Sequence, residues 1–337
     1  MTDVALAAGV SVMTVSRALK PETCVAPETR ALVLKVVKEL GYVPDLLAGG
    51  LSSMRSGFVS LLVPSVNNPH FAETVMGMKR VLEPAGLQVL LGFTNYQARE
   101  EERLIEWMLK RRPEAIVLTY DGHTTRTRVI LKNSGIPVIE IWEKPTKPIE
   151  HVVGFSNRKA ARDMTAAIIA LGYLKIAYIG ESSDAGTRGD QRRRGFEDAM
   201  RHAGLDPIRQ IAYAPPPIGM AQGREAFGAL INRYPDTEVV MCVSDPCAFG
   251  ALTYCLERGW AVPQRVAIAG FGAFEISACC VPSISTLAVN GEEMGEKAAT
   301  LILELIDPLA AKIKKIGPRF LEVAATPMLR ASTVSKM

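Results

Sequence analysis

The chain has 337 residues, 48% hydrophobic and 22% charged, with a formal net charge of +4. That length implies two or three domains at roughly 100–200 residues each, with a core large enough to need no disulfide staples, while so small a net charge does not single out a polyanion as partner. No run of about 18 apolar residues occurs and Met1-Thr2-Asp3-Val4 does not open a cationic and then apolar leader, so neither a membrane span nor a secretory signal is expected, and the chain reads as cytoplasmic.

Residues 1–44 read as an all-α head. Thr2 is placed to cap a short helix through Ala8, in which Val4, Ala5 and Ala7 recur at helical spacing. Gly9 stops it, because glycine tolerates the left-handed conformation of a helix end. Ser11 is placed to cap a second helix from Val12 to Leu19, and Pro27 to open a third from Glu28 to Leu40, which Gly41 ends. The apolar face of that third helix is expected at Ala31, Leu34, Val36 and Val37, with Lys35 and Lys38 turned outward. Two short helices joined by Ala8-Gly9-Val10-Ser11 make a helix-turn-helix, whose second helix fits a major groove. Residues 1–50 balance Arg17, Lys20, Arg30, Lys35 and Lys38 against Asp3, Glu22, Glu28, Glu39 and Asp45, so nonspecific attraction to DNA should be modest.

The run D-V-A-L-A-A-G-V-S-V-M-T-V-S-R from Asp3 to Arg17, with E-L-G-Y-V-P from Glu39 to Pro44, resembles the head of the lactose/galactose repressor family. The resemblance implies that Val12, Met13 and Arg17 face bases and that Ser11, Thr14 and Ser16 hold phosphates. Arg17 can pair bidentately with a guanine; Val12 and Met13 can touch only apolar features such as a thymine methyl. The competing place for Val12 and Met13 is the core of the head. Residues 45–56 resemble the family's hinge helix, and Leu51 matches the leucine that wedges into the minor groove. Asp45 suits the N-cap of such a helix, whereas Gly49 and Gly50 each cost it about 1 kcal/mol of helix propensity.

From Phe58 onward the pattern alternates. Apolar runs at Phe58–Val63, Leu87–Phe93, Ala115–Thr119 and Val138–Ile141 read as strands, with helices at Phe71–Leu82, Arg99–Lys110 and Arg126–Asn133. A second series has strands at Lys175–Ile179, Val239–Val243 and Val266–Ala269, with helices at Lys159–Leu171, Arg192–Ala203, Arg224–Asn232 and Pro246–Arg258. The expected fold class is α/β: parallel sheets covered by helices, in lobes at about 57–150 and 151–280, the chain crossing back after 280 within a domain of residues 57–337. The family resemblance extends over this region and implies the two-lobed fold of type-1 periplasmic binding proteins, in which the chain passes between lobes three times.

Ligands of open α/β folds sit beyond the carboxyl ends of the strands. Those ends offer Ser65, Asn68, Phe71 and Trp142 in the first lobe and Arg188, Arg192, Ser244, Asp245 and Glu275 in the second. The resemblance implies that Arg192, three residues before Gly195-Phe196, binds effector. Arg188 lies one helical turn earlier and shares its face, whereas Arg193 and Arg194 point elsewhere. Two cations near a helix N-terminus oppose its dipole, and a bound anion removes the conflict; the competing picture is a solvated helix start. Gly270-Phe271-Gly272-Ala273 carries no acid where sugar-binding relatives place Asp, which leaves Asp190, Asp245 and Glu275 as the expected counter-charges. A sugar acid fits this set, with its carboxylate on the arginines, hydroxyls on Ser65, Asn68, Ser244 and Asp245, and Trp142 as an apolar wall. Val152 to Gly180 and Leu118 to Thr127 also resemble the gluconate-repressor branch, which implies gluconate or a related aldonic or keto-aldonic acid.

Other chemistry finds little support. Six cysteines include no C-x-x-C pair and four histidines are scattered, so no zinc site is expected and the cysteines read as buried reduced thiols. No G-x-G-x-x-G follows a strand, and neither G-x-x-x-x-G-K-[ST] nor G-x-S-x-G occurs, so neither an enzyme nor a cofactor is expected. A periplasmic-type sugar-binding protein is the alternative, but it needs a leader and has no helix-turn-helix head. The resulting expectation is a homodimeric transcriptional regulator, a repressor of sugar-acid utilisation, that binds an operator and is tuned by a small effector.

Overall fold

Among the described residues of the first unit of the chain, Met1–Ser56, the helices are α1 (Thr2–Ala8), α2 (Val12–Ala18) and α3 (Pro27–Glu39). The structure, a computed structural model, describes residues 1–19, 24–43, 56–119, 122–182, 186–307 and 317–334. Val4, Ala5 and Ala8 pack with Val15, Ala18, Val33 and Val36 in a small apolar core. Gly9 has φ +63°, and Ser11 Oγ accepts a hydrogen bond from the Thr14 amide at 3.1 Å, so the turn is built from the signals read in the sequence. Two details differ. Met1, not Thr2, occupies the N-cap of α1 and makes no side-chain cap. On α3 the inward residues are Val33 and Val36, while Ala31 and Leu34 face solvent: two seven-residue helices cover only a narrow stripe of the third. Arg30 Nη1 donates to the Ala18 carbonyl at 2.6 Å, tying α3 to the end of α2.

The second unit, Gly57–Met337, contains two parallel sheets. In the first lobe β1 (Phe58–Val63), β2 (Gln88–Phe93), β3 (Ile116–Thr119), β4 (Val138–Ile141), β5 (His151–Gly154) and β11 (Phe320–Glu322) lie in the order β2-β1-β3-β4-β5-β11. Its helices are α4 (Pro69–Leu82), α5 (Ala98–Leu109) and α6 (Thr125–Asn133). In the second lobe β6 (Ile176–Gly180), β7 (Gln210–Ala212), β8 (Val239–Cys242) and β9 (Ala267–Ala269) take the order β7-β6-β8-β9. With them go α7 (Asn157–Ala170), α8 (Arg188–His202), α9 (Met220–Arg233) and α10 (Asp245–Glu257). β3, β6 and β8 are buried along their whole length, so they read as continuous apolar runs rather than as alternation.

The chain passes between the lobes three times. It leaves the first lobe after β5, returns from β10 (Thr286–Val289) into α12 (Gly291–Ile306), and leaves again from β11 to β12 (Ala325–Met328), which pairs antiparallel with β10. The change of lobe expected at residue 150 therefore falls after Gly154, because β5 pairs with β4. Short strands such as β5, β10 and β11 carry too few residues to announce themselves, and their partners are distant in sequence. α12 lies against α4 at close range: a side chain at Gly77 would strike the backbone of Glu292, and one at Gly295 the backbone of Thr74. The six cysteines divide, with Cys242, Cys247 and Cys255 buried as expected but Cys24 and Cys279 exposed and Cys280 half-buried.

Candidate functional site: a DNA-reading helix and an inter-lobe cavity

In the head, α2 turns Val15 and Ala18 inward, which leaves the opposite side open. Val12 is 43% and Met13 64% exposed, so neither belongs to the core. Arg17 is exposed one turn further on, and Ser16 is half-buried. The Ser11 hydroxyl is 2.8 Å from Thr14 Oγ1, which places both at the start of the helix. Leu51 and the rest of residues 44–55 lie outside the described residues.

In the second unit a cavity of about 340 Å³ opens at the carboxyl ends of the strands. That is the small end of the range for small-molecule sites, roughly 300–1,000 Å³. Ser65, Asn67 and Asn68 reach it from the β1–α4 connection and His70 and Phe71 from the first turn of α4, with Tyr96 and Trp142 beyond β2 and β4. The second lobe contributes Glu181 after β6; Thr187, Arg188 and Arg192 from the start of α8; Pro216 to Met220 before α9; and Ser244 with Pro246 at α10. Phe271, Gly272 and Phe274 complete the wall.

α8 begins at Arg188, one turn earlier than the sequence pattern placed it, with Thr187 Oγ1 accepting from the Asp190 amide at 3.2 Å. Both arginines are therefore helical and both face the cavity. Arg192 Nε donates to Asn157 Oδ1 at 2.8 Å and Nη1 to the Val243 carbonyl at 2.8 Å, and its guanidinium lies 3.8 Å over the Phe271 ring. Burial, and then the like charge of Arg188, pulls its pKa below the ordinary arginine value, an effect that Glu181 opposes. Arg188 is buried and sits 5.3 Å over Phe71. Asn157 also donates from Nδ2 to the Trp142 carbonyl at 2.8 Å, so one amide ties the second-lobe arginine to the first-lobe tryptophan. Trp142 itself is held at φ +70°, with Nε1 donating to Thr74 Oγ1 at 3.2 Å. A left-handed tryptophan is strained, and such residues persist where the surroundings fix them, often beside binding sites.

Of the nine effector residues expected from the sequence, Ser65, Asn68, Phe71, Trp142, Arg188, Arg192 and Ser244 line this cavity. Asp245 and Glu275 do not. Asp245 is buried behind the wall, where Oδ1 accepts from Thr286 Oγ1 at 2.6 Å and Oδ2 from the Phe274 amide at 2.7 Å; burial raises its pKa. Glu275 is exposed at the start of the short helix α11 (Glu275–Cys279). Asp190, the third expected counter-charge, faces Arg193 Nη2 at 2.6 Å and Arg194 Nε at 3.0 Å. Among the described residues Glu181 is the acid that shares the cavity, and its position beside a strand end was the available signal. The Pro216–Met220 segment carries no strand or charge signal and was not legible.

A helix-turn-helix head in one chain with a two-lobed cleft domain defines a DNA-binding transcriptional regulator that carries a small-molecule-binding fold, not an enzyme. Residues 1–45 match the model of bacterial regulatory proteins, lacI family, and residues 165–333 that of a periplasmic binding protein-like domain. The HTH-type transcriptional regulator IdnR of Escherichia coli (strain K12) is 35% identical over 309 residues, 91% of each chain. The HTH-type transcriptional regulator GntR of Pseudomonas aeruginosa is 36% identical over 334 residues, covering 99% of this chain and 95% of its own. A crystal structure of a LacI family transcriptional regulator from Silicibacter pomeroyi is 46% identical with a TM-score of 0.78, covering 83% of this chain and all (100%) of that one. The chain belongs to the lacI family of bacterial regulatory proteins.

Proposed function

We propose that this regulator is a repressor of carbohydrate-utilisation genes that acts in the cytoplasm as a homodimer, with a sugar acid such as gluconate or a keto-gluconate as effector. The observation that carries the effector reading is the pair Arg188 and Arg192, the first buried and the second half-buried, on one face of α8 in one cavity. Charge-assisted bonds from a guanidinium to a carboxylate are directional as well as strong. Ser65, Asn68 and Ser244 are placed for hydroxyls, and Phe71 and Trp142 for the carbon chain. The likeness of Val152 to Gly180 and Leu118 to Thr127 to the gluconate-repressor branch points the same way.

On DNA, two heads enter successive major grooves of a pseudo-palindromic operator. Arg17 pairs with a guanine, Val12 and Met13 meet apolar base edges, Ser11, Thr14 and Ser16 hold phosphates, and Leu51 wedges into the minor groove between half-sites. The effector acts through different affinity for two states of lobe closure.

Calorimetry with gluconate, 2-ketogluconate, glucose and galactose, followed by operator binding with each ligand, tests the reading. An acid should bind and alter operator affinity. Arg192→Ala should weaken it about 100-fold or more, in line with truncating a buried charge partner, while operator binding without effector persists. Tight binding of a neutral sugar with no acid binding at millimolar concentration would overturn the ligand class. Effector binding with no sequence-selective footprint would favour a binding protein without a regulatory role.

A further inference from the structure

The arginine pair does not face the ligand space alone. Among the described residues that line the cavity, the charged groups are Arg188, Arg192 and Glu181. Glu181 directly follows β6, and its Oε2 occupies the space that a side chain at Gly189 would take, against the first turn of α8. Its carboxylate thus sits at the helix end that bears both arginines, and its field supports the charge of Arg192. A second acid, Glu143, is buried behind the first-lobe wall; burial pushes its carboxyl up, and the charge of Arg188 opposes that shift. His70 also lines the cavity, with Nδ1 3.4 Å from Glu73 Oε2, so its nearest charged neighbour is again an acid.

We propose that Glu181 is a specificity-determining residue that limits the effector to a single carboxylate and accepts hydrogen bonds from the hydroxyls next to it. This rests on the reading of the cavity as a sugar-acid site. One ligand carboxylate finds the arginines. A second anionic group, in a cavity of about 340 Å³, lies within a few ångströms of the half-buried Glu181 and is repelled, since charges at partly buried sites are screened less than those in open water. Hydroxyls do the opposite: an ionised carboxylate is acceptor-only and binds O–H donors strongly. The site therefore selects a polyhydroxy monocarboxylate over both the neutral aldose and the dicarboxylate of the same length, and Gly189 serves that selection by leaving room for the carboxylate.

Gluconate and glucarate are matched probes, six-carbon polyols that differ in carrying one carboxylate or two. Calorimetry on the full-length protein should show gluconate bound at least about tenfold more tightly than glucarate. Glu181→Gln keeps the shape and removes the charge; it should weaken gluconate through the poorer acceptor, tighten glucarate and reduce the ratio to about threefold or less. Glu181→Asp retains the charge and should keep the preference for gluconate. Thermal melting of each variant reports whether the fold persists, and the comparison of the two acids on the native protein does not depend on any variant. Equal affinity of the native protein for the two acids, or an unchanged ratio in a folded Glu181→Gln, would overturn the role of Glu181 while leaving the sugar-acid reading intact. Binding of glucose with neither acid bound, or no binding by any of these probes, would overturn both.

Discussion

The two walls of the cavity are made of different chemistry. Among the described lining residues the first lobe offers Ser65, Asn67, Asn68, His70, Tyr96 and the rings of Phe71 and Trp142, and no carboxylate; the second offers Glu181, Arg188 and Arg192 beside the rings of Phe271 and Phe274. Both lobes nevertheless bury charge. The first keeps it away from the cavity: His123, with no exposed side-chain surface, stands between Glu101 Oε1 at 2.5 Å and Glu140 Oε1 at 3.2 Å. The second keeps two arginines at the cavity wall, with backbone carbonyl, amide and aromatic partners around Arg192. Both sides thus supply aromatic surface, but among the described residues the arginines and the acid come from the second alone, and a ligand that binds them together with the first-lobe groups must hold the lobes together. That gives a physical basis for coupling occupancy to lobe closure.

The sharpest test of this division separates a structural charge cluster from a binding one, and it uses pH. Burial pulls the His123 pKa down, but hydrogen bonds and charge from Glu101 and Glu140 outweigh it and lift it from 6.5 to about 9. A raised histidine pKa contributes stability that is fully present below the unfolded value near 6.5 and is lost as pH rises through about 9. At 1.36 kcal/mol per unit the loss is about 3 kcal/mol. Urea unfolding at pH 6 and pH 9.5 should show it, and His123→Gln should flatten the difference. Gluconate affinity of His123→Gln at neutral pH should stay within about twofold of native; a large loss would mean that the first lobe's charge cluster reaches the ligand after all.

A smaller effect is expected at Asp245. Truncation to Ala leaves the Phe274 amide and the Thr286 hydroxyl without their acceptor, a cost of about 2 kcal/mol in denaturant melts. Asp245→Asn keeps an acceptor oxygen in place and should hold gluconate affinity near native. If it instead abolishes binding with the fold intact, the carboxylate touches ligand and the boundary drawn at Phe274 is wrong.

The least effect is expected from Arg193→Ala. Its guanidinium is partly exposed and bound to Asp190 and Glu197 on the same helix, and Arg194 and Arg201 still pair those acids when it is removed. Stability should change by about 0.5 kcal/mol or less, with effector response intact. Placed beside Arg192→Ala, this shows whether position on α8, rather than positive charge in general, makes an arginine functional.

The head was legible because its determinants are local. A glycine at φ +63°, a serine cap and apolar residues at helical spacing act over a few positions, and all appear in order in fewer than twenty residues. The buried strands were legible for a related reason, since a run enclosed on both faces must be apolar throughout. What the sequence alone determined, then, is the head, the alternation of strands and helices, and the spacing that puts Arg188 and Arg192 on one helical face. Tertiary structure decided what depends on residues far apart. β11 joins β5 across more than 150 residues, which no local pattern announces. It also sorted the acids: Asp245 turned inward to Phe274 and Thr286, Asp190 to its own helix, Glu275 to solvent and Glu181 into the cavity. In sequence all four are carboxylates near the strand ends or beside the arginines. Whether a carboxylate holds a backbone amide, an arginine or a ligand follows from which donor lies within hydrogen-bond reach, and for Asp245 and Glu181 that distance exists only once segments tens of residues or a whole strand apart have packed together.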